Sequence, residues 1–106
     1  MKITWIGQSG YVLSDEKTTL VIDPYLSDAV NRVAGRKRMV EAPFEAKDLK
    51  CDAVICTHNH LDHFDPETAE HYLGSDTGVT VLCPISVWEE ARRYGGNNNY
   101  VLFGRH

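Results

Sequence analysis

The stretch Thr57-His58-Asn59-His60-Leu61-Asp62-His63 carries three histidines and an aspartate at positions 58, 60, 62 and 63, in a chain with 5 histidines in all. Imidazole nitrogens and carboxylate oxygens are the ordinary protein ligands of a hydrolytic metal ion. The cluster follows directly on the apolar run Ala53-Val54-Ile55-Cys56. In extended chain alternate side chains share a face, so His58 and His60 can reach one ion together. Asp62 and His63 are adjacent and cannot both continue that alternation. The chain must turn there, and a turn can aim them at a second ion. The spacing therefore points to one or two divalent ions held by His58, His60, Asp62 and His63, and it is not a His-Glu-x-x-His protease helix. A divalent ion can bring the pKa of its water from about 15.7 to about 7, which makes a metal-bound hydroxide the expected nucleophile. Asp62 is the candidate catalytic residue, orienting that water or taking its proton.

These elements resemble a known family. His58-x-His60-x-Asp62-His63 at the end of a short apolar strand is the signature of the metallo-β-lactamase superfamily. Met1-Lys2-Ile3-Thr4-Trp5-Ile6-Gly7-Gln8-Ser9-Gly10 is similar to the opening strand and turn of that fold, and Leu20-Val21-Ile22-Asp23-Pro24 to its aspartate-bearing strand. The stretch Asp23-Pro24-Tyr25-Leu26-Ser27-Asp28 resembles the branch containing L-ascorbate-6-phosphate lactonase. The resemblance implies a metal-dependent hydrolase, with Asp62 in the role given above. It implies an α/β fold that is the N-terminal half of a four-layer αββα sandwich, so residues 1–106 read as a single, partial domain. It also implies three further ligands, a histidine, a bridging aspartate and a histidine. After His63 the only histidines are His71 and His106, and neither stands in a matching motif.

Within this frame Asp23 is expected to hold a ligand histidine by its other ring nitrogen. Gln8 in the opening turn and Tyr25 after Asp23-Pro24 are candidate substrate contacts. Zinc suits three nitrogens and a carboxylate, manganese is its rival in the resembled branch, and iron tolerates the same donors. A phosphodiesterase or nuclease of the same superfamily is the alternative chemistry, and an incomplete, non-catalytic metal-binding half-domain is the alternative class.

The elements that must place these residues are legible as patterns. Lys2–Ile6, Tyr11–Leu13, Thr18–Ile22, Asp52–Cys56, Val79–Cys83 and Tyr100–Phe103 read as strands. Glycines 7 and 10 bracket the first turn. Ser27 is placed to cap a short helix closed by Gly35, inside a long connection, residues 25–50, read as a substrate-covering loop. Asp65-Pro66 reads as an N-cap and first helical position, with the helix running to about Leu73 and closed by Gly74. Pro84 begins another helix that ends at Gly95-Gly96. The first half reads as a meander, and strands alternate with helices only in the second. Half a sandwich would expose an apolar sheet face, to be covered by the missing C-terminal half or by a second copy in a homo-oligomer.

Composition narrows the partners. A net charge of −4 disfavours a general nucleic-acid binder. The local cluster Arg32, Arg36, Lys37 and Arg38 reads either as a solvated loop or as an anion site suited to a phosphorylated small-molecule substrate. The 3 cysteines cannot all pair and read as reduced, buried small hydrophobes, with Cys56 close enough to the motif for an accessory ligand role. His71 is expected on a helix away from the site. Trp5 and Trp88 are expected in the core. No run approaches the roughly 20 apolar residues of a membrane span, and the opening residues lack a secretory apolar stretch. No membrane is expected, and the cytoplasm is the expected location.

Overall fold

β-Branched and apolar runs dictate the architecture. In the computed structural model, which describes residues 1–27, 29–36, 38, 41–58, 64–94 and 98–104, they pair into one sheet of order β1-β2-β3-β4-β5-β6. The strands are β1 (Lys2–Gly7), β2 (Gly10–Ser14), β3 (Thr19–Ile22), β4 (Ala53–Ile55), β5 (Thr80–Cys83) and β6 (Asn99–Leu102). The first three are joined by tight turns and run antiparallel. From β3 onward the pairs are parallel, and parallel neighbours need long crossovers. The crossovers carry α1 (Ala29–Ala34), α2 (Pro66–Ala69) and α3 (Ile85–Ala91).

Register sorts the side chains into two faces. Val12, Val21, Val54, Val81 and Tyr100 form one row across the sheet. They pack with Leu26, Phe64, Ala69, Tyr72, Val87 and Ala91 into a single core. On the other face Trp5, Tyr11, Ile22, Ile55, Leu82 and Val101 form a matching row, and none of the six is buried. The apolar sheet face expected from the sequence is therefore present. Trp5 belongs to it and is 50% exposed, so its expected place in the core is corrected. Strand alternation sends Ile6 inward and Trp5 outward, and the outward indole donates to Gln8 O at 2.9 Å.

Two helices differ from expectation at their ends. α2 stops at Ala69, and the chain tightens into three-residue turns, with His71 N bonding Thr68 O at 3.1 Å and Tyr72 N bonding Ala69 O at 3.0 Å. The carboxamide of Asn98 takes over the cap: its oxygen accepts Gly74 N at 2.7 Å and its nitrogen donates to Tyr72 O at 2.9 Å. α3 passes into a 3₁₀ turn at Arg92–Tyr94. α1 begins as expected, with Ser27 Oγ accepting Ala29 N at 3.0 Å. No helix among the described residues is long and apolar enough to cross a membrane.

Candidate metal centre

β3 and β4 are parallel neighbours, with Ile22 opposite Ile55, so Asp23 and Cys56-Thr57-His58 leave the sheet side by side at its carboxyl edge. Open sheets with parallel strands bind their ligands at that edge. Asp23 N still bonds Ile55 O at 2.8 Å, and Cys56 N bonds Leu82 O at 2.9 Å, which fixes both exits to the ladder.

Asp23 then leaves the strand conformation. Its φ of 43° is left-handed, a state aspartate tolerates better than most residues but at some cost. The turn aims its carboxylate sideways at Thr57. Oδ1 accepts Thr57 N at 2.7 Å and Oδ2 accepts the Thr57 hydroxyl at 2.6 Å. Thr57 Oγ1 in turn lies 2.7 Å from His58 Nδ1. A carboxylate only accepts and a hydroxyl has one proton. With that proton given to Asp23, Nδ1–H of His58 donates to Thr57, and in a neutral imidazole the lone pair is then on Nε2. Asp23 thus reaches His58 through Thr57; His60 and His63, the other histidines it was expected to be able to hold, lie outside the described residues. The donor chemistry fits a metal, because a ligating imidazole is neutral and its other nitrogen is held by a polar partner.

The far side of the motif is anchored as well. Phe64 lies in the core and Asp65 is wholly buried. Asp65 caps α2 as expected, accepting Glu67 N at 3.1 Å, with Pro66 following. It also accepts the hydroxyl of buried Thr68 at 2.5 Å, and that hydroxyl accepts Leu26 N at 2.9 Å. His60, Asp62 and His63 lie outside the described residues. Among the described residues no three or more histidine, cysteine, aspartate or glutamate side chains are gathered as a metal site.

The remaining candidates divide. Gln8 is exposed, with a left-handed φ of 49°. Its turn packs on Asp23: a Cβ at Gly10 would stand 2.8 Å from Ile6 Cγ1 and 3.1 Å from Asp23 O, so glycine is required there. Tyr25, expected at the substrate, is wholly buried. Its hydroxyl accepts Val30 N at 3.0 Å and its ring lies 4.6 Å from the Arg38 guanidinium, which makes it a core residue. Arg38 donates to the carbonyls of Tyr25 and Ser27, and Arg32 pairs with Glu67. Two of the four basic residues read as an anion site are therefore engaged within the fold, and Lys37 lies outside the described residues. Leu26, Ala29 and Leu49 of the connection read as a covering loop are buried in the fold.

The cysteines are free thiols. Burial pushes the Cys51 and Cys83 thiols up to about 11. Burial pushes Cys56 higher still, with a smaller opposing pull from the Tyr72 hydroxyl 3.4 Å away. Cys56 thus faces the core, not the metal edge. His71 is exposed beyond α2, 3.3 Å from Glu70 Oε1. Thr57, Thr68 and Asn98 are the residues sequence reasoning passed over. The signals were a hydroxyl directly before the first histidine and a threonine three positions after an aspartate N-cap.

Comparison with known proteins places this arrangement. A family model described as the β-lactamase superfamily domain matches residues 2–103. A "UPF0173 metal-dependent hydrolase" of Rhizobium etli is 31% identical over 98% of this chain and 43% of its own length. A yeast protein, "N-acyl-phosphatidylethanolamine-hydrolyzing phospholipase D, mitochondrial", is 31% identical over 74% of this chain and 17% of its own. Among solved structures, the isothiocyanate hydrolase from Delia radicum gut bacteria superposes with a TM-score of 0.71 at 31% identity, covering 97% of this chain and 42% of that one. A possible metal-dependent hydrolase from Veillonella parvula gives a TM-score of 0.72 at 28% identity, covering 95% and 42%. The chain spans less than half the length of each of these relatives.

Proposed function

The chain belongs to the metallo-β-lactamase superfamily, and from that premise we propose that it forms part of a metal-dependent hydrolase whose ion is held in part by His58. The observation that carries this reading is the Asp23–Thr57–His58 relay, which holds Nδ1 of His58 and so aims Nε2 of a neutral imidazole as the nitrogen for a metal. His60, Asp62 and His63 complete the ligand set contributed by this chain, and Asp62 moves the proton of the attacking water. When bound, the divalent ion, zinc or manganese, supplies Lewis acidity toward the scissile carbonyl or phosphoryl oxygen and acidifies a water. The chain's own part is to fix the ring of His58 and to hold both ends of the motif on buried backbone.

The proposed substrate is a small ester, and a lactone of a phosphorylated sugar acid is the specific candidate from the Asp23–Asp28 stretch. Arg32 pairs with Glu67 and Arg38 turns inward to backbone carbonyls, while Arg36 is exposed and Lys37 lies outside the described residues, so the phosphate rests on a narrower base than the lactone. Phosphodiester hydrolysis is the second reading, favoured by the relative named a phospholipase D. The half-exposed apolar sheet face is read as an interface, covered by further polypeptide or by a second copy. Three free thiols fit the cytoplasm.

Metal content by plasma mass spectrometry tests the reading, together with turnover of a lactone, a bis-nitrophenyl phosphate and an isothiocyanate under zinc or manganese. Bound metal with turnover that His58→Ala abolishes supports it. A folded protein that retains no metal and turns over none of the three sinks it.

A further inference from the structure

We propose that Thr68 is a positioning residue of the metal motif, the brace that ties the far end of the motif to the segment descending from Asp23; this rests on the metal-dependent reading above. Residues 23–26 are all buried. The near end of the motif hangs on this segment through Asp23, which bonds both the backbone and the hydroxyl of Thr57. The far end re-enters at Phe64-Asp65, and it hangs on the same segment through Thr68. One hydroxyl donates to Asp65 Oδ2 and accepts Leu26 N. Both ends of residues 57–65 are thereby referenced to four residues of one backbone.

A simple helix cap would not need this. Asp65 already caps α2 through Glu67 N, and that bond survives without Thr68. The threonine adds a link to a backbone donor 42 positions away in sequence, inside a buried region where each polar group needs its partner. Thr68 is wholly buried, so it acts through Asp65 and not on a substrate. Fixing the separation of the two ends constrains the segment between them, which carries the other candidate ligands, and ligand geometry sets metal affinity.

The test is metal affinity of the protein at its full natural length. Zinc and manganese binding are measured by competition with a chromophoric chelator for wild type, Thr68→Val, Thr68→Ser and Asp65→Asn, with a urea midpoint for each metal-free protein. Thr68→Val keeps the shape and removes both bonds. Affinity should fall, by no more than the roughly 10- to 100-fold that follows loss of a partner bonded directly to a ligand, and Thr68→Ser should restore most of it. Asp65→Asn keeps the cap and replaces the acceptor facing Thr68, so it should weaken binding likewise; it decides the matter if Thr68→Val does not fold. Variants that lose only urea resistance, with metal affinity unchanged, would overturn the proposal while leaving the hydrolase reading intact. A wild type that binds neither ion overturns both.

Discussion

Thr57 is bonded to Asp23 at two atoms, its N–H to Oδ1 at 2.7 Å and its hydroxyl to Oδ2 at 2.6 Å. The pairing fixes the direction of the hydroxyl proton, and so the tautomer of His58 next to it. Asp23→Asn reverses that logic. The carboxamide oxygen can still accept Thr57 N, but the new NH₂ donates to the hydroxyl, which then turns its proton toward His58 Nδ1. The imidazole proton moves to Nε2, the nitrogen a metal would use. Metal affinity should fall by at least about tenfold with the fold retained. The ¹⁵N shifts of the His58 ring report the tautomer directly, and an unchanged Nδ1–H form would refute the relay.

Thr57→Val is the milder lesion. It removes the hydroxyl and leaves the backbone bond to Asp23 Oδ1, so the ring loses its bias but is not driven to the wrong tautomer. Its metal affinity should lie between wild type and Asp23→Asn, and Thr57→Ser should behave as wild type. An order in which Thr57→Val is worse than Asp23→Asn would show that packing of the threonine, and not its proton, matters.

The thiols predict a pH dependence. Burial raises Cys51 and Cys83 to about 11 from an ordinary 9.0. Below pH 9 these groups are neutral in both states and their contribution is fully present. As pH rises toward 11 the unfolded chain releases thiol protons that the folded chain keeps, and stability is lost. The urea midpoint should therefore fall between pH 9 and 11. The double variant Cys51→Ala, Cys83→Ala should start lower, because it leaves cavities, and fall less steeply. Some slope should persist, since burial also raises Cys56 and the phenol of Tyr72. An unaltered slope in the double variant would assign the loss to other groups.

Much of this fold was legible because its strands are short β-branched runs with period two, and Val21, Val54 and Val81 fall in one row as that period requires. Asp65-Pro66 announced α2 through local capping chemistry that needs no distant partner. What stayed illegible depends on contacts far apart in sequence. The Thr57 hydroxyl meets a carboxylate 34 positions away, and Leu26 N meets Thr68 across 42. Tyr25 could be read as a substrate contact because nothing local reveals that Arg38 would cover its ring. The four candidate ligands stood out in the sequence by type and spacing, but the bonds that run from Asp23 through Thr57 to His58 did not.

Asn98 supplies a stability test independent of any metal. Its side chain closes the turn after α2 by accepting Gly74 N and donating to Tyr72 O and to Val79 O, the latter at 3.0 Å. It therefore joins two backbone groups of the turn after α2 to a third just before β5, and it does so from the residue next to β6. Asn98→Ala removes both halves of the amide and strands partly buried groups, a loss of about 1–3 kcal/mol. Asn98→Asp keeps the acceptor for Gly74 N but sets a carboxylate against two carbonyl oxygens, so it should be no better than alanine. Urea unfolding of the metal-free proteins measures both. The metal affinity of folded Asn98→Ala should match wild type, because the residue touches neither end of residues 57–65. If the aspartate variant proved as stable as wild type, the two donated bonds would contribute nothing and the cap would reduce to the single bond at Gly74.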